Sequence, residues 1–325
     1  MNKLLLATEK GLVICERDGD DWHETTRGLT DHHVTSVTVR GGVILAGTTK
    51  GAFRSDDEGQ TWAEAGNGLT TRHVRWMAHL PNGSDLAFAG TEPANIFISH
   101  DGGDSWRVCP EVAELRDEHK WFLPYSPEAG CIRGFAFHRS HVYAAAEVGG
   151  ALVSDDKGET WRLAEGSDGK PSFGSPPELF IHPDVHSIEV HPSSPDLVYA
   201  PTGGGFYRSH DGGKTWKLLY ECYCRAVWVD PNDSEHLILS PADGVDRNGR
   251  IEESKDGGES WSIASSGLQV PWRRGMVERF LQVENDLLAV LSIGHLLSTS
   301  LSTLTWKRIL PDIDNVNAAT IFSLG

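Results

Sequence analysis

"SHDGGDSW", Ser99 to Trp106, returns almost unchanged as "SHDGGKTW", Ser209 to Trp216. The pattern beneath both, Ser-x-Asp-x-Gly-x-Thr/Ser-Trp, also fits Ser55 to Trp62, Ser154 to Trp161 and Ser254 to Trp261, which makes five full copies at one register. Two degenerate copies keep the tryptophan and the flanking strand patterns: "CERDGDDW" ends at Trp22 and "TSLSTLTW" at Trp306. A recurring unit at this spacing means that the repeats, not the chain length, decide the architecture.

Each copy lies between strand-like runs, such as "GAFRS" before Asp56 and "TWAEA" from Thr61, so the octapeptide reads as a hairpin turn between antiparallel strands. A short Asp side chain accepts hydrogen bonds from the turn's own amides, Gly supplies a positive φ, and Trp gives each small sheet a large apolar contact. A device present in every repeat serves the repeat, so these aspartates are read as structural. The pattern resembles the Asp-box, or BNR, repeat of the sialidase-like β-propellers, over essentially the whole chain. That resemblance places the turn between the third and fourth strands of a blade.

The expected fold is therefore all-β: one domain over residues 1–325, a seven-bladed β-propeller of four-stranded antiparallel blades. Inner strands are expected to begin near His33, His73, Cys131, Asp184, Tyr223, Met276 and Val316. The N-terminus opens on a second-strand pattern, "KLLLAT", followed by "GLVICE" and "WHETT", while the C-terminus holds a lone strand, "VNAATIFSL". The C-terminal strand is thus expected to join three N-terminal strands and close the propeller, which pairs otherwise open edges.

Bulk composition narrows the partners. A formal charge of -17 repels nucleic acid and anionic membranes, and no apolar run is long enough to span a bilayer. "MNKLLLATEK" is too short in apolar residues for a signal-peptide core, so the expected location is cytoplasmic. The five cysteines, Cys15, Cys109, Cys131, Cys222 and Cys224, have no C-x-x-C spacing and are read as reduced thiols, with a Cys109–Cys131 staple as the alternative.

A site is sought where the repeats depart from one another. Three connections are long: residues 107–130, 162–183 and 241–250, all expected over one face of the propeller as a lid. Two residues into each inner strand stands a polar column, Thr35, Arg75, Arg133, His186, Arg225, Glu278 and Asn317. Arginine suits carboxylates, whereas Glu278 and His186 can hold or transfer protons; in the plainer alternative the arginines simply pair with Glu278. Glu147 occupies a second-strand end where Thr8, Thr48, Thr91 and Thr202 stand in other repeats, either as an acid/base or in a salt bridge to Arg133. His119, Trp121, Tyr125 and Trp272 are candidate aromatic walls, with Tyr223 near the arginines. His33, His73 and His186 differ in depth or facing, so no metal and no cofactor are expected, and His182 and His191 are placed in turns apart from His186.

The functional expectation is a hydrolase or lyase of glycosidase-like type acting on a small anionic, carboxylate-bearing sugar. Glu278, His186 and Glu147 would be catalytic; Arg75, Arg133, Arg225, Asn317, Thr35, Tyr223, His119, Trp121, Tyr125 and Trp272 would bind. The alternative is a non-catalytic propeller that binds a ligand or scaffolds a protein partner, as the resemblance to seven-bladed Asp-box assembly factors implies. A true sialidase is disfavoured: those enzymes have six blades and carry one clamp arginine in a Phe-Arg-Ile-Pro motif that this sequence lacks.

Overall fold

The computed structural model describes residues 2–19, 21–81, 85–172 and 174–323. Of the features above, Asp20 in the first degenerate repeat, Phe173 in the second long connection and the last two residues lie outside the described residues. Seven four-stranded antiparallel sheets form a seven-bladed β-propeller. Blade 1 is Val316–Ser323, Asn2–Thr8, Gly11–Asp18 and Asp21–Gly28, so the C-terminal strand completes the N-terminal blade, as expected. Blades 2 to 7 begin with the inner strands Val34–Arg40, Val74–His79, Cys131–His138, Glu189–Val190, Tyr223–Asp230 and Val277–Val283.

By compactness the chain divides into two units. Unit 1 is Met1–Glu92, Ile96–Val108 and Glu278–Gly325; unit 2 is Pro93–Asn95 and Cys109–Val277. Unit 1 therefore holds blades 1, 2, 3 and 7 and unit 2 holds blades 4, 5 and 6. Second strands are buried on both faces, which is why they read as unbroken apolar runs: Leu4, Leu5, Leu6 and Ala7 are all 0% exposed. In unit 1, Leu4 and Leu6 pack against Leu288 and Val290 of blade 7; in unit 2, Tyr143 and Val153 pack against Val198 and Tyr207 of blade 5.

The five full repeats build one hydrogen-bonded cage. The Ser hydroxyl donates to Asp Oδ1 at 2.7–2.8 Å and accepts the Gly amide at 2.8 Å, while the Thr or Ser before Trp donates its amide to Oδ1 and its hydroxyl to Oδ2. Each aspartate is thus occupied by its own turn. Threonines at the ends of second strands do similar local work: Thr8, Thr48 and Thr202 donate to the carbonyl three residues on and accept the amide two residues on.

Among the described pairings, five inner strands locally carry one residue more than the stretch of strand they face, a β-bulge. In blade 2, Val34 pairs with Thr48 and Ser36 with Gly47, which leaves Thr35 extra. By the same count Arg75, Arg133 and Asn317 are extra in blades 3, 4 and 1, and the shift in blade 6 falls across Arg225 and Ala226. Blade 5 departs from expectation, because residues 184–188 form no strand beyond a single bridge, Val185 to Thr202. His186 N–H donates to the carbonyl of Pro201, which has no N–H to return, so the ladder is one-sided there.

The first long connection is not all loop: Pro110–His119 is an α-helix with Pro at its first turn. Among the described residues no helix is long and apolar enough to cross a membrane. All five cysteines are free, which corrects the Cys109–Cys131 alternative.

Candidate functional site

The bulge column divides by what its side chains touch. Asn317 Nδ2 donates to the Val34 carbonyl at 2.8 Å and the Thr35 hydroxyl to the Val74 carbonyl at 2.7 Å, each reaching the next blade's strand just before its bulge. These bonds lace blades 1, 2 and 3 together and account for the polarity of Asn317 and Thr35 without a ligand. His186 makes the equivalent bond in unit 2, Nδ1–H to the Cys224 carbonyl at 2.8 Å.

Two of the arginines are held by buried carboxylates of their own blades. Arg75 Nη1 lies 3.4 Å from Glu92 Oε2, and Arg133 Nη1 lies 3.1 Å from Glu147 Oε2. Arg75 is thus paired with Glu92, next to the threonine at its own second-strand end. Arg225 is held differently: its Nη2 donates to the Tyr223 hydroxyl at 3.3 Å, its Nη1 meets Asp246 Oδ1 at 3.5 Å, and its guanidinium lies over the Tyr223 ring. Asp246 comes from the third long connection, which therefore does supply a group to the column.

Within unit 2 these contacts join into one cluster of Arg133, Glu147, Asp184, His186, Tyr223 and Arg225. Glu147 also accepts from the Cys131 thiol at 3.2 Å. It ends a strand at a turn where Val148 has φ 58°, a strained conformation for a β-branched residue. Trp121 fixes that turn from outside: a Cβ on Gly149 would lie 2.8 Å from its indole, and its Nε1–H donates to Gly169 O at 2.8 Å. Trp121 is 3% exposed, so it is a peg joining the first two long connections rather than a ligand wall.

His186 is completely buried, with its Nε2 3.2 Å from both the Tyr223 hydroxyl and Asp184 Oδ2. Since Nδ1 donates to a carbonyl, a neutral ring presents a lone pair at Nε2, which accepts from Tyr223 but faces an acceptor in Asp184. Only a proton or another cation between them removes that conflict. Burial pushes Asp184 up, yet the charge of His186 and the hydrogen bond to it outweigh this and hold the carboxyl below its ordinary value. Burial, aided by Asp184 and opposed by Arg225 and Arg133, pushes the Tyr223 phenol up to about 12. His182 belongs to this neighbourhood after all: its Nδ1 accepts the Asp184 amide at 3.2 Å, and burial first, then His186, lowers its proton affinity. His191 is held elsewhere, by Ser193 and the Asp230 carbonyl. Glu147, Asp184 and His186 each offer a donor atom within 4.8 Å of the others, the arrangement among the described residues that can hold a metal ion.

The remaining candidates are described by other contacts. Glu278 is in unit 1, where its carbonyl accepts from Arg279, whose guanidinium covers Trp76. His119 ends the helix, Tyr125 is 57% exposed with its hydroxyl 4.0 Å from Cys131 Sγ, and the Trp272 amide donates to Gly249 O. In the second long connection, residues 174–180 and His182 line a cleft of about 540 Å³ against Tyr207, Trp216 and Leu218 of the third and fourth strands of blade 5 and its repeat turn. Sequence reasoning passed over Asp184, Glu92 and Asp246. The first was taken for ordinary strand, and the others stand outside the aligned column.

The BNR/Asp-box repeat family model matches residues 207–218. A xyloglucanase of Hypocrea jecorina (strain QM6a) is 26% identical over an alignment of 198 residues that covers 54% of this chain and 23% of that protein. The chain therefore spans about a quarter of that relative. A GH74 enzyme of Niastella koreensis superposes with a TM-score of 0.65 at 16% identity, over 94% of this chain and 51% of that one. YCF48 bound to D1 peptide superposes with a TM-score of 0.61 at 17% identity, over 91% and 89%.

Proposed function

We propose that this seven-bladed Asp-box propeller, glycosidase-like in its relatives, is a hydrolase or lyase acting on a small carboxylate-bearing sugar at the cluster of blades 4 to 6. The supporting observation is the convergence of Arg133, Arg225, Tyr223, Glu147 and Asp184 in hydrogen-bonding contact around a buried His186. Arg225 and Arg133 receive the substrate carboxylate, since planar guanidinium donors match it. Tyr223 is protonated at neutral pH and donates a proton to a leaving oxygen, with Arg225 stabilising the phenolate that results. Glu147 and Asp184 place negative charge beside the reacting sugar carbon. Their closest oxygens lie within 4.8 Å, nearer the spacing of about 5–5.5 Å found where one carboxylate attacks than the wider one that admits a water.

The test is a thermal-shift screen of wild type and Arg225→Ala against sialic acids, uronates and other sugar acids, followed by turnover assays on any that bind. A stabilising sugar acid, at least tenfold weaker in the variant and converted by wild type, is expected. Equal affinity in the two proteins defeats the reading. A second reading is supported by the superposition on YCF48, which is nearly complete in both chains, whereas the matches to the xyloglucanase and the GH74 enzyme cover parts of larger ones. On that reading the arginine-bearing face takes an acidic protein segment, and the screen returns no sugar.

A further inference from the structure

We propose that Glu147, Asp184 and His186 bind one divalent transition-metal ion of the Zn2+ or Mn2+ kind. The residues come from two blades and are 4, 7 and 0% exposed, with one donor atom of each within 4.8 Å of the others. A tetrahedral ion at about 2.0–2.1 Å from its donors sets them about 3.4 Å apart, and the distance from His186 Nε2 to Asp184 Oδ2 is 3.2 Å. Two carboxylates and an imidazole are a donor set of intermediate hardness, suited to such ions and poor for the all-oxygen preferences of Ca2+.

Three observations point to an ion and not merely to proximity. Asp184 Oδ1 is sealed from solvent without a hydrogen-bond partner, although its carboxylate sits in a polar cluster. A buried oxygen in that state lacks the compensation that a cation supplies. His186 is oriented by its Nδ1–H bond to the Cys224 carbonyl, the support that fixes a metal-binding imidazole with Nε2 as donor. Glu147 is braced in turn by Arg133 and the Cys131 thiol. With Arg133 alongside, the ion would leave a net positive centre, which favours an anionic oxygen in the fourth position, and the Tyr223 hydroxyl lies 3.2 Å from His186 Nε2. Bound there, the ion would polarise that oxygen while Tyr223 moves the proton. The competing account is a protonated His186 paired with Asp184 and no ion. The proposal uses residues of the catalytic reading but does not require turnover, since an ion can bind where no sugar is converted.

The experiment measures the metal content of the purified full chain, then titrates the chelator-stripped protein calorimetrically with Zn2+ and with Mn2+. One equivalent bound with micromolar or tighter affinity and a raised Tm is expected, falling at least a hundredfold in both Asp184→Asn and Glu147→Gln. Absence of stoichiometric binding to wild type overturns the proposal, and so does unchanged affinity in the two variants, which places the ion at other histidines. Should a variant fail to fold, pulsed EPR of the Mn2+-loaded wild type reads coupling to a histidine nitrogen, and its absence is equally decisive. Metal binding without any sugar ligand retains this proposal while the catalytic reading fails.

Discussion

Replacing Arg133 with Ala removes a guanidinium 3.1 Å from Glu147 Oε2, in a pair whose side chains are 12 and 6% exposed. At an effective dielectric of about 20, unit charges at that separation attract by about 5 kcal/mol, and the stranded Glu147 is repelled by Asp184 by about 3 kcal/mol. Part of this is offset by releasing the arginine from its desolvated position, so the expected loss of stability is about 3–5 kcal/mol. Glu147→Gln keeps an acceptor for Arg133 and relieves the repulsion, so it should cost about 1–2 kcal/mol. Once that charge is gone, Arg133→Ala should cost no more than about 1 kcal/mol, a coupling of at least about 2 kcal/mol. Urea unfolding at neutral pH followed by tryptophan fluorescence measures the four corners of the cycle, with chelator present so that no ion replaces the arginine. Equal costs of Arg133→Ala in the two backgrounds would refute the argument that Glu147 is a charge dependent on this partner.

Two further outcomes follow from the geometry. Trp121→Phe should cost about 1–3 kcal/mol by leaving the Gly169 carbonyl unpaired, and Trp121→Ala about 3–5 kcal/mol. In hydrogen exchange the segments around 121–130 and 163–172 should loosen together, and loosening confined to the first contradicts the peg. Hydrogen bonds from Thr61 and Ser260 hold Asp57 and Asp256 at about 2; Asp101, despite the opposing pull of burial, is held at about 2 by Ser105 and Ser99. Since unfolded aspartate titrates near about 3.9, this stabilisation is complete above that pH and is lost as the pH falls towards 2. Tm should therefore drop across that window, less steeply in an Asp57→Asn/Asp101→Asn/Asp256→Asn variant, and parallel profiles would dispose of the idea.

The propeller was readable because its signal is local. Ser, Asp, Gly and Thr of one octapeptide bond to one another, so the five full copies carry the same letters whatever surrounds them. The site was less readable because its contacts join residues far apart in sequence, within a blade, as from Arg133 to Glu147, and between blades, as from His186 to Cys224 and Tyr223. Aligning strands found Arg133, His186 and Arg225, but alignment presumes continuous strands, and blade 5 has none at Asp184, where Pro201 cannot complete the ladder. The pairing of Arg133 with Glu147 was legible because both stand at aligned strand positions of one blade, whereas Glu92, which holds Arg75, lies one residue past the aligned strand end. Trp121 was read as a wall because aromatic residues in a long loop look exposed, whereas its indole fills the space over Gly149 that any larger residue would deny it.

The extra residue in each of five inner strands separates two jobs that a β-strand usually imposes on the same position. A residue in register must suit the face of the sheet it occupies, but the supernumerary one belongs to neither alternation. Closely similar backbone therefore carries Thr35, Arg75, Arg133 and Asn317 without disturbing the pairing on either side. Such positions are interchangeable sockets. Chemistry can be rewritten in them one blade at a time, and swapping Thr35 for Arg should add a guanidinium to unit 1 while the pairing of Val34 and Ser36 stays intact.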